Sequence, residues 1–188
     1  MLTIGDHIKE AIDYMDKGKL ENALLSTCIA IDLTAQKITG KQSSRTDYKK
    51  FISDYMWLIT YIGLPGIMAG GIKIPFKHHD IKPDVDGYCG IEDIVYHVIR
   101  CSLVHSTGLD SKIVWCENTI IGNDRNGNLE ISNKFIWGLI GAIIFCPKNK
   151  EEKIPETYWI RINDFKWFIQ ELWGRIDLIK RIITINSN

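Results

Sequence analysis

Neither sign of charge dominates this chain: 23 Lys and Arg stand against 23 Asp and Glu, so the formal net charge is zero. That argues against a protein whose whole surface holds nucleic acid by charge, and leaves room only for a local basic patch. Long hydrophobic runs are also missing. The longest, FIWGLIGAIIF, has about half of the ~20 residues that span a bilayer. The opening MLTIGDHIKE is acidic within six residues and lacks an apolar core, so no signal peptide is expected. Cysteines are few and scattered (28, 89, 101, 116 and 146) with no Cys-x-x-Cys pair. An odd set of this kind fits reduced thiols better than a disulfide framework or a zinc site. No repeat and no low-complexity segment occurs. GLPGIMAGG lacks the Lys-Ser/Thr of a phosphate-binding loop, and no Ser-His-Asp order with a nucleophile elbow is present. These absences leave a cytoplasmic protein with no membrane segment, no cofactor and one domain over 1–188.

What is there is mostly helical patterning. Ile4, Ile8, Ala11, Ile12 and Met15 recur at helical spacing before Gly18. A second stripe runs from Leu20 to Ile38 and closes at Gly40, which predicts an antiparallel helical hairpin. A third helix is expected from about Thr46 to Ile62, with core aromatics Tyr48, Phe51, Tyr55 and Trp57. Three of the five prolines and six glycines fall between Gly63 and Gly90, which reads as a long ordered loop. His78, His79 and Asp80 sit in that loop, but adjacent histidines diverge and no third ligand follows at helical spacing. No metal is expected there.

A helix is predicted over 91–107, then short strands at KIVWCE, TIIGNDR and NLEIS. Asn126-Gly127 marks a two-residue hairpin turn between the last two. FIWGLIGAIIF reads as a buried helix, although its two glycines and β-branched residues also allow a strand pair. The lysines around 148–153 read as a solvated loop. A last helix is expected over 163–186, capped by Asn163 and striped by Phe165, Phe168, Ile169, Leu172, Ile176, Ile179 and Ile183. The expected fold is mainly α: a bundle of four to five helices, about 1–110 and 163–186, with a small β-hairpin insertion at about 111–132.

One stretch stands out, VIRCSLVHSTG at 98–108. On a helical wheel Ile91, Ile94, Val95, Val98 and Ser102 share one side and His105 lies at its edge. Arg100 points the other way, near Asp93, Tyr96 and His97. Its own side is flanked by Ile99, Leu103 and Val104, so the helix is apolar over most of its girth and is expected to be covered on both sides. Thr107-Gly108 places the helix end just after His105, where dipole, burial and Arg100 together set an imidazole pKa near neutrality. The plain alternative is a surface Arg100 paired with Asp93 or packed on Tyr96.

VIRCSLVH resembles the Arg-x4-6-His motif of the HEPN superfamily, small α-helical domains that include RNA-cutting toxins and defence effectors. LENALLSTCIAIDLTAQK resembles the second helix of such domains. The resemblance implies a HEPN-like helical bundle with Arg100 and His105 as the catalytic pair, in a homodimer whose two motifs face one cleft. Asp93, His97, Cys101 and Ser102 would support them. The implied reaction needs no metal. The RNA 2′-hydroxyl attacks the adjacent phosphorus, His105 moves the proton, and Arg100 stabilises charge on the phosphoryl oxygens. Active members carry a polar residue, often Asn or Asp, after the arginine. Here Cys101, a small and weak hydrogen-bonding side chain, takes that place. The resemblance therefore implies a metal-independent endoribonuclease, possible as a toxin with an antitoxin partner or a defence component. The alternative is an inactive HEPN-like dimer that binds RNA, a nucleotide or a protein partner.

Overall fold

A computed structural model of the chain describes residues 2–65, 67–105, 112–162 and 165–186. Helix α1 (Ile4–Asp16) starts at a capping box: the Asp6 N–H donates to Thr3 Oγ1 at 3.1 Å, and the Thr3 N–H donates to Asp6 Oδ2 at 2.8 Å. Gly18, at φ 68°, turns the chain into α2 (Leu20–Thr39), which ends at a left-handed Gly40. The expected helical hairpin forms, with Ile8, Ala11, Ala23, Leu24 and Ile31 fully buried.

The single helix expected over 46–62 is two. Helix α3 (Arg45–Asp54) is capped by Ser44, and α4 (Met56–Gly63) follows across Tyr55 at φ −103°, ψ 8°. The break lets α3 lie against the helix that begins at Ile91 while α4 lies against α7 (Lys134–Phe145). The loop expected over 63–90 contains a hairpin, β1 (Lys73–Pro75) paired antiparallel with β2 (Tyr88–Gly90). Asp84 organises its turn by accepting the Tyr88 and Asp86 amides at 2.9 and 3.1 Å.

Next comes one continuous helix in three parts: α5 (Ile91–Ile94), a π-helical stretch (Val95–Arg100) and α6 (Cys101–His105). The insertion is larger than a hairpin. β4 (Ile121–Asn123) and β5 (Leu129–Ser132) form the expected antiparallel pair around Gly127 at φ 80°. β3 (Ile113–Cys116) joins the far side of β5 in parallel. FIWGLIGAIIF is helical, and its glycines have a packing reason. A Cβ on Gly138 would lie 2.2 Å from the Ile59 carbonyl oxygen, and one on Gly63 would lie 2.9 Å from the Lys134 carbonyl oxygen. α4 and α7 thus meet backbone to backbone.

The lysine-rich loop is tied down. Asn149 is buried and donates to Ile143 O and Thr34 Oγ1 at 2.8 and 3.0 Å, while Glu152 accepts the Gly5 amide at 2.9 Å and pairs with Lys37. The single last helix is also corrected. β6 (Trp159–Ile162) pairs antiparallel with β7 (Phe165–Phe168), and α8 (Ile176–Asn186) begins only after Gly174 at φ 74°. Phe165, Phe168, Ile169 and Leu172 have helical spacing, but the alternating burial of WIRI supplies a strand partner and tertiary pairing overrides the stripe. Asn163, the expected cap, lies outside the described residues.

The architecture is therefore mixed α/β, with seven helices and three small sheets among the described residues. It is not a mainly α, HEPN-like bundle of four to five helices with one hairpin. Strand pairs at three places in the chain, two of them unexpected, account for the difference. No described helix is long and apolar enough to cross a membrane.

Gly138→Ala is expected to lower the denaturant midpoint by the equivalent of about 1–3 kcal/mol, because the new methyl must push α4 off α7. A midpoint equal to the parent's would show that the two backbones do not touch as described.

Candidate functional site

Helix residues 91–105 follow β2 directly, and Gly90, with extended backbone (ψ 143°), supplies the entry. Ile91, Ile94, Val95, Val98 and Ile99 are fully buried. In the π-helical stretch the Cys101 N–H donates to the Tyr96 carbonyl, five residues back. Such a turn holds an extra residue, so the positions after it rotate away from where a straight α-helix puts them. Ser102 accordingly leaves the buried stripe that the wheel assigns it and is half-buried, whereas Ile99 is fully buried.

Arg100 reaches across to α2. Its Nε and Nη2 both donate to Asp32 Oδ2, at 3.3 and 3.2 Å, and its guanidinium carbon lies 5.5 Å from the centre of the Tyr96 ring. Both partners of the ion pair are mostly buried, with side chains 21% and 23% exposed. Burial opposes the Arg100 charge, and the Asp32 carboxylate outweighs it, raising the guanidinium pKa. Tyr96 is braced by Tyr48 of α3, edge to face at 5.3 Å. Tyr48 and Cys28 are fully buried beneath it, and burial pushes the Cys28 thiol up to about 12. A thiol so shifted stays protonated and unreactive at neutral pH.

The other expected site residues divide. Asp93 does not join Arg100: Lys49 of α3 donates to it at 2.6 Å, which turns that carboxylate toward α3. His97 packs edge-on against Tyr96 at 5.0 Å, and its pKa is lowered by burial first and by Arg45 second. It is therefore neutral at pH 7. Cys101 and Ser102 are half-buried, and Cys101 contributes to the charge-stabilising surroundings of the Arg100 guanidinium. The backbone of His105 closes α6, but its side chain lies outside the described residues, as do Thr107 and Gly108. Of the two alternatives for Arg100, the Tyr96 contact is present and the Asp93 pair is not. The missed partner is Asp32. Its signal was an isolated acid inside the apolar run CIAIDLTA, a position where a carboxylate needs a countercharge.

His78, His79 and Asp80 bring one ligand atom each within 4.8 Å of one another. They are consecutive residues on a turn, and the Asp80 N–H already donates to His78 Nδ1 at 3.2 Å. The trio thus holds its own turn together.

A family model described as Rv1289 matches residues 3–188. Relatives include an uncharacterized protein of Mycobacterium tuberculosis, Rv1289, and one of Mycobacterium bovis, Mb1320. Each is 23% identical over 192 residues, covering 98% of this chain and 90% of the relative. No solved structure matches the chain.

Two outcomes test this geometry. Asp32→Asn should destabilise by roughly 1–3 kcal/mol by leaving a mostly buried cation without its carboxylate, and Asp32→Asn with Arg100→Met should recover part of that loss. Additive losses in a double-mutant cycle would mean the two do not interact. For His97 the folded pKa lies below 6.5, so the unfolded chain binds more protons just below that pH. Stability then falls as pH drops through about 6.5, and the fall in urea midpoint from about pH 7.5 to 5.5 should be smaller in His97→Gln. An identical fall would remove His97 from that dependence.

Proposed function

This chain belongs to the Rv1289 family, and for it we propose a metal-independent endoribonuclease acting through Arg100 and His105. The observation that carries the reading is the Asp32-held guanidinium. Both contacts to Asp32 come from the Nε–Nη2 edge. A phosphate would be received at the other edge, by a planar cation whose position is already fixed. Preorganisation of this kind stabilises developing charge, because the donor does not have to reorient during the reaction. The resemblance of VIRCSLVH to the Arg-x4-6-His motif of the HEPN superfamily supplies the partner, His105, at the end of the same helix. The mixed α/β architecture is not part of the support.

In the proposed reaction the substrate's 2′-hydroxyl attacks its own phosphodiester. His105 takes the hydroxyl proton or delivers one to the leaving 5′-oxygen, and Arg100 balances the charge on the phosphoryl oxygens. The products are a 2′,3′-cyclic phosphate and a 5′-hydroxyl. Two copies of the chain would bring two such pairs to one cleft. A non-cleaving reading has its own support in Cys101, which stands beside the guanidinium where an amide would orient a phosphate more strongly. On that reading the same surface binds RNA, a nucleotide or a protein partner.

Labelled total RNA and tRNA incubated in EDTA should be cut by the parent protein, with cyclic-phosphate ends. Arg100→Ala and His105→Ala should each lose about a hundredfold or more of that rate, as expected for a charge-stabilising group and a proton-transfer group. Folded protein that retains RNA in a gel shift without cutting it would favour the non-cleaving reading. Equal cleavage by both variants would exclude this pair as the site.

A further inference from the structure

A second site lies away from Arg100. The last turn of α1, the end of α4, the start of α7 and strand β6 enclose an open cleft of about 790 Å³, within the size range of small-molecule sites. Its walls are aromatic: Tyr61, Trp137, Tyr158 and Trp159. Tyr158 is fixed, because its hydroxyl donates to Asp13 Oδ1 at 2.6 Å, and Lys9 donates to the other oxygen of the same carboxylate at 2.9 Å. Trp159 is 40% exposed, and Lys166 of β7 sits 4.6 Å from its ring centre.

Three of the four charges in this cleft, Asp16, Lys134 and Arg161, stand where folding alone disfavours them. Asp13 and Asp16 occupy the last turn of α1, which carries no basic residue, so both meet the negative end of the helix dipole. Arg161 of β6 is directly opposite Lys166 of β7, a like-charge cross-strand pair that weakens a hairpin. Lys134, also lining the cleft, is the first residue of α7, where the dipole favours an anion over a cation. Asn133 provides no side-chain cap there, and the Lys134 N–H donates instead to Ser132 Oγ at 3.4 Å. Two acids and two bases thus share one aromatic-walled cleft; Lys9 and Tyr158 offset Asp13, whereas Asp16, Lys134 and Arg161 each stand there at some cost to local stability. A simple anion would meet the acids and a simple organic cation would meet the bases. The ligand that satisfies all of them has a planar ring, a hydroxylated middle and an anionic end.

We infer that this cleft binds a ribonucleoside 5′-monophosphate. The base stacks on Trp137 and Trp159, a ribose hydroxyl donates to Asp16, and the phosphate is held by Lys134 and Arg161. The site is independent of the Arg100 reading and shares no residue with it.

The test is calorimetric titration of the full chain with AMP, GMP, CMP and UMP, with tryptophan fluorescence as a second readout. At least one monophosphate should bind saturably. Lys134→Glu and Arg161→Glu should each weaken it about tenfold or more, and the matching nucleoside without phosphate should bind about tenfold more weakly. Neither variant threatens the fold. Glu suits a helix start, and Arg161→Glu replaces a like-charge pair with an opposite one. Absence of saturable binding by all four probes, unchanged affinity in both charge-reversal variants, or inorganic phosphate competing as well as the nucleotide would each overturn the assignment.

Discussion

The close crossing of α4 and α7 is the constraint around which the rest is arranged. From Phe135 to Phe145 nearly every residue of α7 is buried, with Trp137 the partly exposed member. A helix so apolar has to be covered on several sides. α4 covers one side at backbone contact, made possible by Gly63 and Gly138, and α2 covers another. The same crossing sets out the aromatic cleft. Tyr61 and Ile62 leave the end of α4 where Lys134 and Trp137 leave the start of α7, so the wall of the cleft continues the packed core.

Ion pairs between elements do a different job. Lys49–Asp93 links α3 to α5, Lys37–Glu152 links α2 to the loop after α7, and Arg100–Asp32 links the π-helical stretch to α2. Partly exposed pairs of this kind contribute modestly to stability. Their effect here is directional. Asp93 is drawn to α3 and away from Arg100, and Arg100 is drawn to α2 and onto Tyr96. The π-helical stretch assists by rotating the residues after it relative to a straight helix.

Much of the helical patterning was legible. The run at 134–145 was legible as buried but left open between a helix and a strand pair, whereas the α1–α2 hairpin and its glycine stops follow from spacing and caps, which are local properties. The turn at Asn126-Gly127 was legible for the same reason. The Arg100 site was legible in part: the residue stood out as a cation in an apolar helix, but its partner did not. Asp32 is 68 positions away, and no local rule connects a carboxylate on α2 to a guanidinium on another helix. Asp93, near in sequence, was the natural choice, and Lys49 took it.

Local pattern marked the ends and apolar faces of α1 and α2, and the residues that bring unusual chemistry to position 100 and its neighbours; it marked neither the break between α3 and α4 nor the start of α8. Caps, glycine φ angles and 3.6-residue periodicity act within a few residues and need no partner. Tertiary structure alone decided that Phe165–Phe168 is a strand, that β3 joins β5 in parallel, and that Asp32 faces Arg100. It also decided that acids from α1 share a cleft with bases from α7 and β6. Each of these depends on groups far apart in the chain meeting at a few ångströms, where hydrogen bonding, burial and charge outweigh the local preference of either partner.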